Sequence, residues 1–363
     1  MVTDLQSDAS ESTANLGVGL DAAMPPIDDG KLLTEFHALT TGCGVSRLAD
    51  RVKILLTGED RTRWLNGMVT NNIRDLAIGQ GLYAFLLNPQ GKIQGDLYAF
   101  NRGADIALDL DRQQLAKLLA VFDHYIIMDD VAVVDASAGL TAIGVLGPKS
   151  HEVLQAAGIE VAPLRPLELI EETWSGCAIT LLRAESWKRN AYEIWVSPEK
   201  AQSLVDALTR SGALSVGMDA QRLYRIASGI PVYGEDIRER DLPHETGQER
   251  ALHYAKGCYV GQEIVERVRT QGRVHRMFSG FALTEVCPAG SKIMADIPEK
   301  GVKEVGEITS IALVPGSEHR IIALGYIRRE ALERSLDVNS TFLKTHPLPF
   351  EEILQGQFDI AQP

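Results

Sequence analysis

Short apolar strands alternate irregularly with amphipathic helices along this chain, and this order constrains the fold more than any other feature. Residues 52–56 are predicted to form a strand, and apolar residues then recur at helical spacing over 64–69. Residues 81–87 and 92–100, joined by a Pro- and Gly-containing turn at 88–91, predict a β-hairpin. A parallel sheet would need a regular strand–helix–strand series, so the order favours antiparallel α+β layers.

The predicted elements group into several units, as expected for 363 residues. A second set of strands and helices starts at Leu140, and its clearest helix starts at Ser197-Pro198-Glu199 and ends at Gly212. Beyond residue 273, short strands separated by Gly and Pro predict a small all-β module. We therefore expect a flexible acidic tail at 1–30, a first domain at 31–139 and 213–272, a second α+β subdomain at 140–212, the all-β module at 273–350, and a tail at 351–363.

The formal net charge of −13 argues against nucleic acid as a direct partner, because binding to phosphates needs a basic surface. The first 30 residues contain six acidic residues and no Lys or Arg. They resemble neither a secretory signal nor a mitochondrial transit peptide. No apolar run approaches the roughly 18 residues that span a bilayer. We expect a cytoplasmic protein without membrane contact.

The four cysteines are Cys43, Cys177, Cys258 and Cys287, and no two of them form a CxxC pair. The spacing predicts neither a metal site nor a disulfide framework. Three of the cysteines are expected to behave as small hydrophobic residues. Cys258 differs because it lies in the octapeptide Lys256-Gly257-Cys258-Tyr259-Val260-Gly261-Gln262-Glu263.

The octapeptide could present a reactive thiol. Glycines on both sides of Cys258 allow tight bends or the close approach of a ligand. A positive field that favours the thiolate could come from Lys256 and from Arg267, Arg269, Arg273 and Arg276. If the segment continues as a strand, Arg267 and Arg269 project from one face and could meet an acidic group of a ligand or partner.

The alternative interpretation of the octapeptide is structural. The glycines would shape a turn, Cys258 would fill a small pocket, and Glu263 and Glu266 would balance the arginines on a strand face. The spacing matches no nucleophile elbow, phosphate loop or zinc motif. The residues by themselves leave both interpretations open.

The octapeptide, followed by Arg267 and by Gly272-Arg273, resembles the signature of the YgfZ family of folate-binding, GcvT-like proteins, which are related to the aminomethyltransferase (T-protein) of glycine cleavage. Similar segments are Val69-Thr70-Asn71-Asn72, Tyr83 to Asn88 with Gly91, and Arg225 through Tyr233-Gly234. The resemblance covers about residues 45–350. It implies ferredoxin-like α+β subdomains around a central folate site and a C-terminal β-barrel.

Two carboxylates gain roles through this resemblance. Asp96 matches the second of two paired aspartates in the aminomethyltransferases, the catalytic acid that acts around the folate nitrogen, and Gly95 replaces the first. Without the resemblance, Asp96 could equally be a surface or turn-capping residue. Glu193 alternates with apolar residues, so it should face away from Tyr192 and Ile194, by default into solvent. The resemblance implies instead that Glu193 holds the pterin, with its carboxylate accepting two hydrogen bonds.

Three more residues are candidates for the cofactor site. The resemblance implies that Tyr83 forms an aromatic wall beside the pterin. Arg225 is a candidate because an Arg on an otherwise apolar helix face needs a carboxylate or ligand partner, and Lys256 is the basic residue of the octapeptide. Structural alternatives stay open, because Tyr83 could be an ordinary core aromatic and Arg225 could join two subdomains.

The function that the resemblance implies is tetrahydrofolate binding in support of iron–sulfur cluster assembly or repair in client enzymes. Cys258 and Asp96 are then the catalytic candidates, and tetrahydrofolate or a one-carbon derivative is the cofactor. One alternative is a folate-dependent aminomethyl or one-carbon transferase, which Asp96 favours and Gly95 disfavours. A second is a noncatalytic scaffold that folate regulates and whose basic strand docks a client.

Overall fold

The computed structural model describes residues 29–161, 163–185, 190–272, 274–316 and 320–356. Residues 1–28 of the predicted acidic tail and Arg273 lie outside the described residues. None of the described helices is long and apolar enough to cross a membrane.

The element order is irregular, as the sequence predicts. The helices are α1 (Asp29–Thr41), α2 (Arg61–Met68), α3 (Leu115–Tyr125), α4 (Ser150–Ala156), α5 (Pro198–Arg210), α6 (Met218–Ala227), α7 (Gln262–Gln271) and α8 (Glu351–Leu354). The strands are β1 (Gly44–Arg47), β2 (Arg51–Thr57), β3 (Gly81–Leu87), β4 (Ile93–Asn101), β5 (Ile106–Asp111), β6 (Ala132–Asp135), β7 (Thr141–Leu146), β8 (Leu169–Trp174), β9 (Cys177–Arg183), β10 (Ala191–Val196), β11 (Leu214–Ser215), β12 (Arg276–Leu283), β13 (Lys292–Ile297), β14 (Gly301–Val314), β15 (Arg320–Arg328), β16 (Leu336–Val338) and β17 (Thr341–His346).

The first sheet has the antiparallel order β3-β4-β5-β2-β6 and contains the predicted hairpin. On one face, alternate residues such as Ile54, Leu97 and Leu108 pack with α2 and α3 into an apolar core. Successive side chains of a strand point to opposite faces. The residues between these core positions therefore face the other way, towards the second sheet.

The second sheet has the order β11-β1-β7-β10-β9-β8. One face packs against α4 and α5 through residues such as Val145, Ile194 and Leu204. The predicted second subdomain, residues 140–212, is too short. Its sheet also contains β1, which pairs with β7, and β11, which pairs with β1. These pairings join segments that are distant in sequence, so local periodicity could not reveal them.

The inner faces of the two sheets meet at an apolar cluster. Phe100 and Ala107 of the first sheet pack with Leu182 and Trp195 of the second. The rings of Phe100 and Trp195 meet edge to face, with centroids 5.4 Å apart. Polar residues of both sheets lie beside this cluster, and they form the candidate site.

The C-terminal strands close into a barrel of order β12-β15-β14-β13-β16-β17, as predicted. α1, α6 and α8 pack against the barrel in a shared core. The predicted tail at 351–363 is wrong for residues 351–354, because these form α8 and bury Ile353 and Leu354 completely. Two adjacent apolar residues are too short a pattern to predict a packed helix.

The segment after the octapeptide is the helix α7, so the predicted strand is wrong. Arg267 pairs with Glu263 at 2.7 Å and Arg269 pairs with Glu266 at 2.8 Å, at the spacings that bring side chains together on one helix face. The glutamates balance these arginines, as the structural alternative expected, but on a helix. The basic docking strand of the scaffold alternative does not form.

Candidate functional site

A row of polar and aromatic side chains crosses the inner face of the first sheet. The strand register places Tyr83 of β3 opposite Tyr98 of β4, Tyr98 opposite Asp109 of β5, and Asp109 opposite Lys53 of β2. Tyr83 and Tyr98 have ring centroids 4.9 Å apart. Register alone therefore aligns four polar or aromatic side chains from four different strands.

A buried ionic cluster continues this row to the second sheet. Lys53 Nζ donates to Asp109 Oδ1 at 2.7 Å and to Glu193 Oε1 at 3.0 Å. Arg51 binds the two oxygens of Asp109 at 3.2 and 2.8 Å. Burial alone would raise the pKa of Asp109, but the charges of Arg51 and Lys53 hold it below its usual range. Burial opposes the charge of Arg51, yet Asp109, and to a lesser degree Glu193 and then Asp96, raise its pKa.

Glu193 is buried between the sheets and not solvated. Its neighbours Tyr192 and Ile194 pack into the core of the second sheet, so the predicted orientation is confirmed. Glu193 Oε1 accepts hydrogen bonds from Lys53 and, at 2.6 Å, from Trp195 Nε1. Within the described part of the chain, Oε2 has no hydrogen-bond partner. Glu193 was expected to accept ligand hydrogen bonds through both oxygens. Two donors already occupy Oε1, so Oε2 is the oxygen that remains for a ligand.

Asp96 lies on the same inner face and is held by two side chains. Tyr83 Oη donates to Asp96 Oδ2 at 2.6 Å, and Gln114 Nε2 donates to Asp96 Oδ1 at 2.7 Å. The Gln114 Oε1 atom accepts the backbone N–H of Asp96 at 2.9 Å. Burial and the neighbouring Asp96 raise the pKa of Tyr83 well above its usual range. Tyr83 is therefore a fixed hydrogen-bond donor to Asp96.

Tyr83 is not an open aromatic wall. The guanidinium of Arg250 lies 4.4 Å from the centroid of the Tyr83 ring and 5.9 Å from that of Tyr98. Asn71 donates to the backbone oxygen of Arg250 at 2.8 Å and holds this loop in place. A ligand at the tyrosine pair would therefore meet Arg250, which the sequence did not single out.

The sequence profile of the GCVT N-terminal domain matches residues 28–256, more than half of the chain. The chain belongs to the GCVT family. It is similar to the aminomethyltransferase of Thermosynechococcus vestitus, with 28% identity over 313 residues that cover 83% of this chain and 81% of the relative. An aminomethyltransferase of Nostoc is 26% identical over 344 residues, with coverages of 89% and 90%.

Among solved structures, the glycine cleavage system aminomethyltransferase T from Bartonella henselae superposes with a TM-score of 0.78 at 20% identity. The superposition covers 88% of this chain and 89% of that chain. This match confirms the predicted GcvT-like α+β fold.

In this GCVT-family chain, Lys256 of the octapeptide has a structural position. Its side chain is buried, and Nζ donates to the backbone oxygens of Asn66 and Val69 at the C-terminal end of α2. Burial and the charge of Arg74 lower the pKa of Lys256 from 10.5 to about 7. Lys256 therefore caps a helix. The prediction that it contacts the cofactor does not fit this position.

Cys258 is exposed, so it does not fill a small pocket. The next residue, Tyr259, packs on the cluster that contains Tyr83. The predicted positive field around Cys258 is largely balanced by carboxylates. Arg276 pairs with Asp241 and Glu245, and the two arginines of α7 pair with glutamates of the same helix. Among the described residues, no contact joins Cys258 to Asp96 or Glu193.

Arg225 joins parts of the chain and does not reach the tyrosine row. It pairs with the fully buried Asp236 at 2.6 Å and with Glu235 at 3.2 Å, and it donates to Ser310 Oγ of β14 at 2.9 Å. These contacts connect α6, the following loop and the barrel. They agree with the structural alternative for Arg225.

Sequence reasoning missed several residues of the site, namely Arg51, Lys53, Tyr98, Asp109, Gln114 and Arg250. A usable signal existed for two of them. Lys53 and Asp109 each stand between apolar residues within a strand, which is the pattern that drew attention to Glu193. Two opposite charges of this kind predict a buried pair.

Proposed function

We propose that this chain binds tetrahydrofolate and supports the assembly or repair of iron–sulfur clusters in client enzymes, as proteins of the YgfZ branch do. The observation that carries the proposal is the buried carboxylate of Glu193, which keeps Oε2 unpartnered within the described part of the chain. Asp96 lies on the facing sheet, and Arg51 interacts electrostatically with both carboxylates. This shared interaction with Arg51 supports one inter-sheet site that uses both carboxylates.

The residues present fit a reduced pterin. Glu193 Oε2 would accept an N–H of the pterin ring, and Asp96 would lie near the reduced ring nitrogens. When bound, tetrahydrofolate supplies N5 of this ring and the exocyclic N10 as carriers of a one-carbon unit. Tyr83 and Gln114 hold Asp96 in one orientation, which favours a defined contact over a mobile one.

The iron–sulfur part of the proposal is supported by the octapeptide. Lys256 and the two glycines anchor its loop, while the Cys258 thiol stays exposed. An exposed thiol on an anchored loop can reach a cluster or a cysteine of a client protein. We assign the folate-related role to the inter-sheet site and the client-related role to Cys258.

Calorimetric titration with tetrahydrofolate tests the first part. The wild-type protein should bind, Glu193→Ala should lose binding, and the exposed-surface control Glu199→Ala should bind as the wild type does. Absence of binding to the wild-type protein would refute the folate assignment. The second part is tested by the activity of an iron–sulfur enzyme in cells depleted of this protein. Wild type should restore that activity, Cys177→Ser should restore it equally, and Cys258→Ser should not.

Aminomethyl transfer is the second candidate function, because the similar proteins are aminomethyltransferases and Asp96 is retained. Gly95 opposes it. A Cβ at position 95 would lie 2.8 Å from Gln114 Oε1 and 2.9 Å from Leu118 Cδ2, so a second aspartate there would have to displace the Gln114 side chain that holds Asp96. Formation of methylenetetrahydrofolate from a lipoyl-bound aminomethyl donor is the deciding assay. Robust turnover that survives Cys258→Ala would favour the transferase.

A further inference from the structure

Lys53 is completely buried, and its ammonium joins the two sheets. Nζ lies 2.7 Å from Asp109 Oδ1 and 3.0 Å from Glu193 Oε1. It also lies 4.8 Å from the centroid of the Trp195 ring. The lysine thus contacts Glu193 both directly and through the indole that donates to the same carboxylate oxygen.

The charge of Asp109 does not require Lys53. Arg51 already binds both oxygens of Asp109, and it compensates the carboxylate from the same strand as Lys53. A buried ion pair seldom adds stability over well-packed apolar residues, and Phe100, Leu55 and Trp195 form an apolar cluster here. Glu193, by contrast, has no other hydrogen-bonded cation among the described residues, because Arg51 acts on it only through its charge. The contribution specific to Lys53 is therefore its contact with Glu193.

This contact decides which oxygen of Glu193 a ligand can use. Each carboxylate oxygen offers about two acceptor sites, and Lys53 and Trp195 fill both sites of Oε1. Rotation of the carboxylate would break two charge-assisted hydrogen bonds. Oε2 is therefore presented in one fixed orientation.

We propose that Lys53 is a positioning residue that fixes the carboxylate of Glu193, so that Glu193 binds the ligand ring through Oε2 alone. The inference rests on the proposed folate binding. Lys53 itself is too buried to touch the ligand in this arrangement. Its effect on binding must therefore pass through Glu193.

A double-mutant cycle tests this dependence. Tetrahydrofolate affinity is measured by calorimetry for the wild type, Lys53→Met, Glu193→Gln and the combined variant. Each single substitution should weaken binding about tenfold or more, as expected for loss of a charge-assisted contact. The combined variant should bind no more than about threefold more weakly than Glu193→Gln, because that substitution already replaces the ligand-facing oxygen that Lys53 positions by an amide nitrogen. Lys292→Met serves as the control, since Lys292 pairs with Glu307 in the barrel and should leave affinity unchanged.

The outcomes separate the two proposals. Wild-type affinity in Lys53→Met, or single losses that multiply in the combined variant, would overturn the positioning role alone. Absence of binding to the wild-type protein would overturn the proposed function and this inference together. If Lys53→Met does not fold, Lys53→Gln takes its place in the cycle, because it removes the ammonium charge with a polar side chain while Arg51 still compensates Asp109. Thermal denaturation of each variant shows which version to use.

Discussion

The buried lysine of the octapeptide predicts a specific dependence of stability on pH. In the folded state, burial and Arg74 lower the pKa of Lys256 from 10.5 to about 7. At about 1.4 kcal/mol per pH unit, this difference corresponds to about 5 kcal/mol. The carbonyl oxygens of Asn66 and Val69 favour the ammonium and offset part of it. We therefore expect a net effect of about 2–3 kcal/mol.

The sign follows from proton binding. In the upper part of the range between about pH 7 and pH 10.5, the unfolded chain keeps a proton on Lys256 that the folded chain has released, so the free energy of unfolding rises with pH. The two carbonyl oxygens favour the ammonium and shorten this range from its lower end. Urea unfolding of wild type and Lys256→Met between about pH 7 and pH 10 measures the effect. The wild type should gain about 2–3 kcal/mol over Lys256→Met across this window. The exposed Lys200→Met should run parallel to the wild type, and a parallel curve for Lys256→Met would refute the reasoning.

Two further substitutions test how the octapeptide loop and the barrel are attached. Arg225→Met should lower the free energy of unfolding by about 3 kcal/mol, because it leaves the fully buried Asp236 without its cation; the half-exposed Arg222→Met should cost less than about 1 kcal/mol, and equal losses would contradict this view. Gly261 and Gly247 both have positive φ, but only at Gly261 would a Cβ meet a backbone oxygen, at 2.6 Å. Urea unfolding should show Gly261→Ala to be less stable than Gly247→Ala by about 2 kcal/mol or more; similar values would show that the loop can move away.

Elements with a local signal were predictable from the sequence. The β3–β4 hairpin has its own turn residues, and α5 follows Ser197 with a proline in its first turn. Pairing between distant segments has no such signal, which is why β1 and β11 were assigned to the wrong unit. The wrong prediction of a strand at α7 has a different cause. Glu263 and Arg267 are four residues apart, which is the spacing of paired charges on a helix, so the sequence did contain a signal for this helix.

The residues of the candidate site also separate into those that the sequence indicated and those that only the tertiary structure identifies. Asp96 and Glu193 were found because each carboxylate stands in an apolar strand and the resemblance gave it a role. Lys53 carried the same apolar-strand pattern, but its importance depends on the approach of the two sheets. Arg250 depends on a loop that folds back over Tyr83 from a distance in sequence. The sequence therefore indicated two acceptors of the site, while the tertiary structure was needed to identify Gln114 and Lys53, which orient them.

The β3–β4 hairpin is the physical connection between the octapeptide and the inter-sheet site. Gly261 packs against the turn of this hairpin, and a Cβ there would lie 2.6 Å from the backbone oxygen of Asn88. The strands that leave this turn carry Tyr83 and Asp96 on their inner face. Cys258 and the carboxylates do not touch but share this hairpin as a support, so we expect a ligand bound to its strands to restrain the loop that rests on its turn. The coupling predicts that tetrahydrofolate slows alkylation of Cys258 by a small thiol reagent in the wild type and not in Glu193→Ala; equal rates with and without folate would leave the two sites independent.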